Sequence, residues 1–204
     1  MTHPTLRNFF AKHKITVTEG NIGVCNQQYN EIMQIINDNK SRLSNIMEVG
    51  FNAGHSAELF LQHTNAYVYS FDLGIHFHQY LKHGKRFINT VYPNRHTLVL
   101  GDSTKMIPNF IKNNNNAKIF DLIFIDGGHD YDIAMADIVN SKQLANENTI
   151  LIVDDIIKTK YLEAEHTIGP TAVWEKLVNE NFIIETSYSE YSAGHGQCVG
   201  KYVF

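Results

Sequence analysis

Acids stand in this chain wherever an apolar run has just ended. Glu48 lies in "NIMEVGFNAGHSAELF" at 45–60, Asp72 closes "AYVYSFDL", and Asp102 and Ser103 follow "HTLVLG". Asp126 follows "KIFDLIFI", Asp154 and Asp155 follow "TILIV", and His129 comes three residues after Asp126 in "FIDGGHDYD". One such acid is commonly a helix cap or a turn former. Six of them at five strand-like ends point to a ligand site, because open parallel sheets bind ligands beyond the carboxyl ends of their strands. Three aspartates brought together repel one another, and a hard divalent cation would offset that cost, Mg²⁺ most simply. An imidazole beside them, with an ordinary pKa of about 6.5, suits a general base working close to neutrality.

The turn after Glu48 narrows the ligand. Gly50 and Gly54 permit close backbone approach and positive φ. Asn52 stands where the dinucleotide fingerprint G-x-G-x-x-G needs its middle glycine, and the charge of Glu48 would repel a pyrophosphate. A cationic or hydroxyl-bearing ligand fits better.

Positioning these residues requires alternating elements. The apolar runs 45–50, 66–73, 96–102, 118–127 and 149–156 read as buried strands, and the stretches 55–64, 76–90, 104–114 and 131–145 are compatible with helices between them. Near-continuous apolarity in "DLIFI" and "ILIV" implies strands covered on both faces, so the expected class is α/β, doubly wound and mostly parallel. A helix over 171–180 should lead into two strands, "NFIIETSYSE" and "GQCVGKYVF", joined through "YSAGHG" as an antiparallel C-terminal hairpin. Upstream, "NQQYNEIMQIINDNKSRL" places Tyr29, Ile32, Ile35 and Ile36 on one helical face. The run "IKNNNNAKIF" reads as a polar loop.

The 204 residues are of ordinary single-domain size, with 43% hydrophobic and 19% charged residues and a net charge of −4. Nothing in that balance attracts phosphate backbones, so no nucleic-acid partner is expected. No stretch approaches the roughly 18 apolar residues of a membrane span, and "MTHPTLRNFFAKHK" lacks the apolar core of a signal peptide. Cys25 and Cys198 form no metal-type spacing, which makes reduced thiols and a cytoplasmic location the expectation.

Glu48, Gly50 and Gly54 form the pattern E-x-G-x-x-x-G, and with Asp72 and "GDS" they resemble the class I S-adenosylmethionine-dependent methyltransferases over about 48–156. That resemblance implies a Rossmann-like, seven-stranded sheet in a single domain over 1–204, with 1–43 as a helical cap on the substrate side and 44–204 as the cofactor-binding core. It places the methionine moiety on the loop from Glu48 through Gly50, Phe51, Asn52 and Gly54 to Ser56. The ribose hydroxyls fall to Asp72 and its neighbour Leu73, and adenine lies against Asp102 and Ser103, with Asp126 also at the cofactor. "FIDGGHDYD" followed by "LIVDDI" resembles, more narrowly, the cation-dependent O-methyltransferases of the catechol, caffeoyl-coenzyme A and macrolide-sugar kinds. This implies Asp126, Asp154 and Asp155 as ligands of Mg²⁺ or another divalent cation, His129 and Asp126 as catalytic residues, and a small hydroxyl-bearing acceptor.

Other readings stay open: a metal-independent methyltransferase, an inactive S-adenosylmethionine-binding protein, a hydroxylase-like relative using iron, and, less well matched, a nicotinamide oxidoreductase. For Asp154 and Asp155, successive strand residues face opposite ways, so one of the two could be a helix cap. His76 and His78 form an H-x-H pair with no third ligand near in sequence, and a loop flanking adenosine or plain surface is expected there. His195, in the hairpin connection, could reach the acceptor. The acceptor's identity and the oligomeric state are not encoded legibly, a homodimer being one option.

Overall fold

In a strand, alternate side chains face opposite sides of the sheet, and both sides are apolar here. The computed structural model describes residues 5–19, 21–113, 118–192 and 194–204. Strands β1 (Asn45–Val49), β2 (Tyr67–Asp72), β3 (His96–Leu100), β4 (Leu122–Ile125), β5 (Ile150–Asp154), β6 (Ile183–Ser192) and β7 (His195–Tyr202) form one sheet in the order β3-β2-β1-β4-β5-β7-β6. The first five are parallel, and β7 runs antiparallel to both β5 and β6. The fold is therefore the expected α/β class, with the C-terminal hairpin closing one side. Strand order reverses between β1 and β4, and a crevice opens at such a reversal beyond the strands' carboxyl ends.

Helices α1 (Leu6–His13), α2 (Asn26–Asn39), α3 (His55–His63), α4 (Lys82–Val91), α5 (Ser103–Asn113), α6 (Tyr131–Ser141) and α7 (Glu165–Asn179) cover the two faces. Ile46, Phe124 and Ile152 point to one core with Ile32 and Ile36 of α2, Phe60 of α3 and Phe87 of α4. Met47, Ile123 and Leu151, the neighbours in sequence, point to the other core with Ile107, Ile138 and Trp174. Each fully buried side chain of this size contributes about 1.5–3 kcal/mol, which explains why β4 and β5 carry no polar residue before their ends.

The sequence reading differs from the structure in three elements. A single helix was expected over 76–90, but a π-helical turn, Phe77–Leu81, precedes α4. Its extra residue per turn lets Tyr80 and Leu81, both 0% exposed, bury along with Phe87 and Ile88. Helix α7 begins at Glu165, not 171, and both Gly169 and Pro170 are buried within it, so tertiary packing overrides a pair that normally breaks helices. Helix α1 is additional to the sequence reading; Thr5 Oγ1 accepts from the Asn8 amide at its start and the Glu58 side chain accepts from the Leu6 amide. Most of the expected asparagine loop falls on 114–117, outside the described residues. Cys25 and Cys198 are free thiols.

One buried acid strains this core. Asp137 of α6 is 0% exposed, and burial pushes its carboxyl up to about 6. A carboxyl whose folded pKa exceeds its unfolded value stabilises the fold only while protonated, so stability falls as pH rises from about 4 through about 6. Asp137→Asn removes that loss. Urea denaturation should show the difference between variant and wild type moving in the variant's favour by roughly 2–3 kcal/mol between pH 4 and pH 8. A difference independent of pH would mean that Asp137 does not titrate in this range.

Candidate active site

The last paired rung of the parallel sheet joins Val49 to Ile125 and Ile125 to Val153. One residue further on stand Gly50, Asp126 and Asp154. Asp126 and Asp154 thus leave adjacent strands on the same face, about one strand spacing of 4.7–4.9 Å apart. Two carboxylates so placed oppose each other's ionisation. Asp126 is held well above the usual carboxylate range by burial, then by Asp154 and Asp155. Asp154 is pushed up to about 7 by burial and by Asp155, although Gln28 Nε2 and the Asp155 amide both donate to its Oδ1, at 2.7 and 2.8 Å.

Asp155 would face away from this pair if the strand simply continued. It takes φ 60° instead, a left-handed conformation uncommon outside glycine that costs of the order of 1 kcal/mol and collects at functional sites. The turn swings its carboxylate toward two imidazoles: His129 Nε2 lies 3.0 Å from Oδ2 and His166 Nε2 lies 3.7 Å from Oδ1. The hydrogen bond to Asp155 raises the pKa of His129 above its ordinary value. His166 Nε2 donates to the Gly194 carbonyl at 3.1 Å, and its ring centroid is 5.4 Å from that of His129. Helix α7, which carries His166, reaches this close because Gly169 abuts the chain: a Cβ there would lie 2.1 Å from the His129 carbonyl oxygen.

The glycine loop is built on the other side of Gly50. Asp72 Oδ2 accepts from the amides of Phe51 and Asn52 at 3.0 and 2.7 Å, and Oδ1 accepts from Gly74 at 2.7 Å. One carboxylate thereby holds both the loop after β1 and the turn after β2. Gly50 has φ 96°, and a Cβ on it would sit 1.8 Å from the Asp126 carbonyl oxygen, so no other residue fits between the two strand ends. Glu48, 0% exposed, lies under the loop and accepts from Ser70 Oγ at 2.5 Å; burial pushes its carboxyl up to about 7. Ser70 in turn bonds His96 Nε2 at 2.7 Å, and the His96 ring stacks on Phe51 at 5.2 Å. Phe51 and Ser56 are buried, so Glu48, Phe51 and Ser56 support the loop from beneath, while Gly50, Asn52, Asp72 and Leu73 line open space.

Asp102 caps α5: its Oδ1 accepts from the Thr104 amide at 3.0 Å and hydroxyl at 2.6 Å, and Lys105 Nζ sits 2.9 Å from Oδ2. It also lines the cleft with Ser103. That cleft measures about 830 Å³ and runs from Asp102, Ser103 and Asp72 past Gly50 to Asp126, His129, Asp154 and Asp155. The sequence reading found the part of its wall that lies at the strand ends. It did not find Gln28, Glu19 and His166, and it left His76 as surface or an adenosine flank. His76 lines the cleft and its Nε2 is 2.6 Å from Glu19 Oε1. A polar residue on the apolar stripe of α2 was the available signal for Gln28; His166 precedes a Gly-Pro pair and offered none.

Asp126, Asp154 and Asp155 offer oxygen donors of the type a hard divalent cation takes, and burial together with neighbouring carboxylates holds the first two above the usual carboxylate range. Their donor chemistry fits such an ion. Among the described residues, however, no three His, Cys, Asp or Glu side chains converge as a ready-made metal site, and Asp155 is engaged by His129.

A family model described as a methyltransferase domain matches residues 47–156, just over half of the chain. No curated protein matches in sequence. Among solved structures, an O-methyltransferase from Bacillus cereus in complex with SAH is similar at 16% identity and TM-score 0.73, over 98% of this chain and 92% of that one. The O-methyltransferase TomG from Streptomyces achromogenes, involved in tomaymycin synthesis and in complex with SAM, is 12% identical at TM-score 0.71, over 98% and 88%. A TDP-rhamnose 3′-O-methyltransferase of calicheamicin biosynthesis is 13% identical at TM-score 0.65, over 95% and 92%. At these identities the likeness establishes a shared fold.

The contact at Gly50 gives a direct test of this geometry. Gly50→Ala should lower stability by roughly 2–5 kcal/mol, combining a strained φ with a steric clash against the β4 backbone. Chemical denaturation measures it. An unchanged midpoint would mean that the two strand ends are not pressed together.

Proposed function

The chain belongs to the methyltransferase-domain family, and on that premise we propose that it transfers a methyl group from S-adenosylmethionine to a hydroxyl of a small molecule. The observation that carries this reading is the continuity of the cleft: one open space joins the Asp72-held loop to the His129–Asp155 pair. Solved neighbours with SAH or SAM bound support the choice of cofactor.

S-adenosylmethionine supplies an electrophilic methyl on a sulfonium, and the remaining task is to align an oxygen in line with it and make that oxygen nucleophilic. Asp72 is the acceptor for a ribose hydroxyl, on the lone pair left over from its three backbone donors. Gly50 and Asn52 bring backbone against the methionine end, Leu73 flanks the ribose, and Asp102 and Ser103 lie against adenine. Glu48, Phe51, Gly54 and Ser56 hold the loop's shape from below. At the far end Asp126, Asp154 and Asp155 are the carboxylates that would hold Mg²⁺ or another divalent cation, which when bound would lower the pKa of the acceptor hydroxyl. His129 takes the hydroxyl proton. The segment 1–43 forms the acceptor side, and 44–204 the cofactor core.

A second reading has its own support. Because Asp155 accepts a hydrogen bond from His129, the pair can act as an oriented base without any metal. Removal of metal separates the two. Under the first reading EDTA should abolish methyl transfer while S-adenosylmethionine still binds, and activity that persists in chelator selects the second. Under either, His129→Ala should lower kcat by roughly 10²–10⁴-fold with cofactor affinity unchanged. A variant retaining wild-type kcat would reduce His129 to a structural residue.

Calorimetry tests the cofactor assignment itself. The wild type should bind S-adenosylmethionine at one site, and Asp72→Ala should weaken that binding by about 10- to 100-fold through loss of a charged acceptor. Absence of binding by the wild type would remove the methyl-transfer reading. Equal affinity in the variant would remove only the role of Asp72.

A further inference from the structure

Helix α2 buries Gln28, Ile32 and Ile36 at successive spacings of four, the stripe it turns toward the sheet. An apolar residue is the ordinary occupant of the first position, since a buried amide costs free energy unless its hydrogen bonds are met. Gln28 is only 4% exposed, and its Nε2 donates to Asp154 Oδ1 at 2.7 Å across 126 residues of sequence. With the Asp155 amide at 2.8 Å on the same atom, Oδ1 has two donors and a fixed orientation. Gln28 also lines the cleft.

We propose that Gln28 is a positioning residue: its amide sets the Asp154 carboxylate for cation binding and so makes the N-terminal helix part of the reacting end of the cleft. This rests on the cation-dependent reading given above. Other contacts also hold α2 in place. Ile32 and Ile36 are 0% exposed, and Glu31 Oε2 accepts from Tyr191 Oη at 2.7 Å and from Gln197 Nε2 at 3.4 Å, a second tie to the hairpin. Gln197 is the β7 residue paired with Asp154. A polar side chain at an apolar position, bonded to a site carboxylate on a helix that other contacts also hold, is the pattern of a local rule broken for function.

The test measures Mn²⁺ binding by calorimetry, with S-adenosylhomocysteine affinity as the control for an intact cofactor site. Gln28→Leu keeps the stripe apolar and filled, and Gln28→Ala empties it, so a folding defect in one is checked by the other. Both should bind Mn²⁺ about 10- to 100-fold more weakly than wild type, the usual effect of removing an outer partner of a metal ligand, with S-adenosylhomocysteine affinity unchanged. In an Asp154→Ala background, Gln28→Leu should cause no further loss, because Gln28 acts through Asp154. Wild-type Mn²⁺ affinity in both variants, or losses that simply add in the double variant, would overturn the proposal. A wild type that binds S-adenosylhomocysteine but no Mn²⁺ overturns the cation reading and this role together, an outcome distinct from the first two.

Discussion

Two carboxylates on adjacent strands of one sheet face constrain most of what surrounds them. Asp126 and Asp154 leave β4 and β5 one step past the same rung, and their charges can coexist only if neighbours compensate. Three local features meet at these strand ends. Gln28 and the Asp155 amide donate to Asp154, Asp155 is turned through a left-handed conformation to face imidazoles, and Gly50 leaves β1 without a side chain where the Asp126 backbone passes. Each device is local. Together they draw α2, the DGGH loop and α7 to one point.

The two ends of the cleft use carboxylates in opposite ways. Asp72 accepts from three backbone N–H groups, which fix the loop that would receive the cofactor. Asp126 and Asp154 sit among one another, with a net excess of negative charge that a cation or a proton relieves.

Much of this was legible in the sequence because the signals are periodic or steric. Alternating apolar runs gave the strands, and the acids at their ends, read with Gly50, pointed to the cleft that runs from Asp72 and Asp102 to Asp126 and Asp155. What escaped detection depends on tertiary packing. The π-helical turn at Phe77–Leu81 follows from burial of Tyr80 and Leu81, and the early start of α7 follows from burial of Gly169 and Pro170. The orientation of Asp155 was open for a reason that strand geometry makes plain: alternation pointed it away, and only the backbone reversal brought it back. Glu48 illustrates the opposite limit, since its position in the motif was plain while its burial beneath the loop was not.

The central claim is that this cleft carries out methyl transfer, not cofactor binding alone. Incubating the chain with S-adenosylmethionine labelled in the methyl group, in the presence of Mg²⁺ and a panel of phenols, catechols and sugars, tests it most directly. The account predicts label on the oxygen of at least one acceptor, with S-adenosylhomocysteine released in equal amount. Stoichiometric binding of S-adenosylmethionine with no labelled product from any acceptor would contradict it.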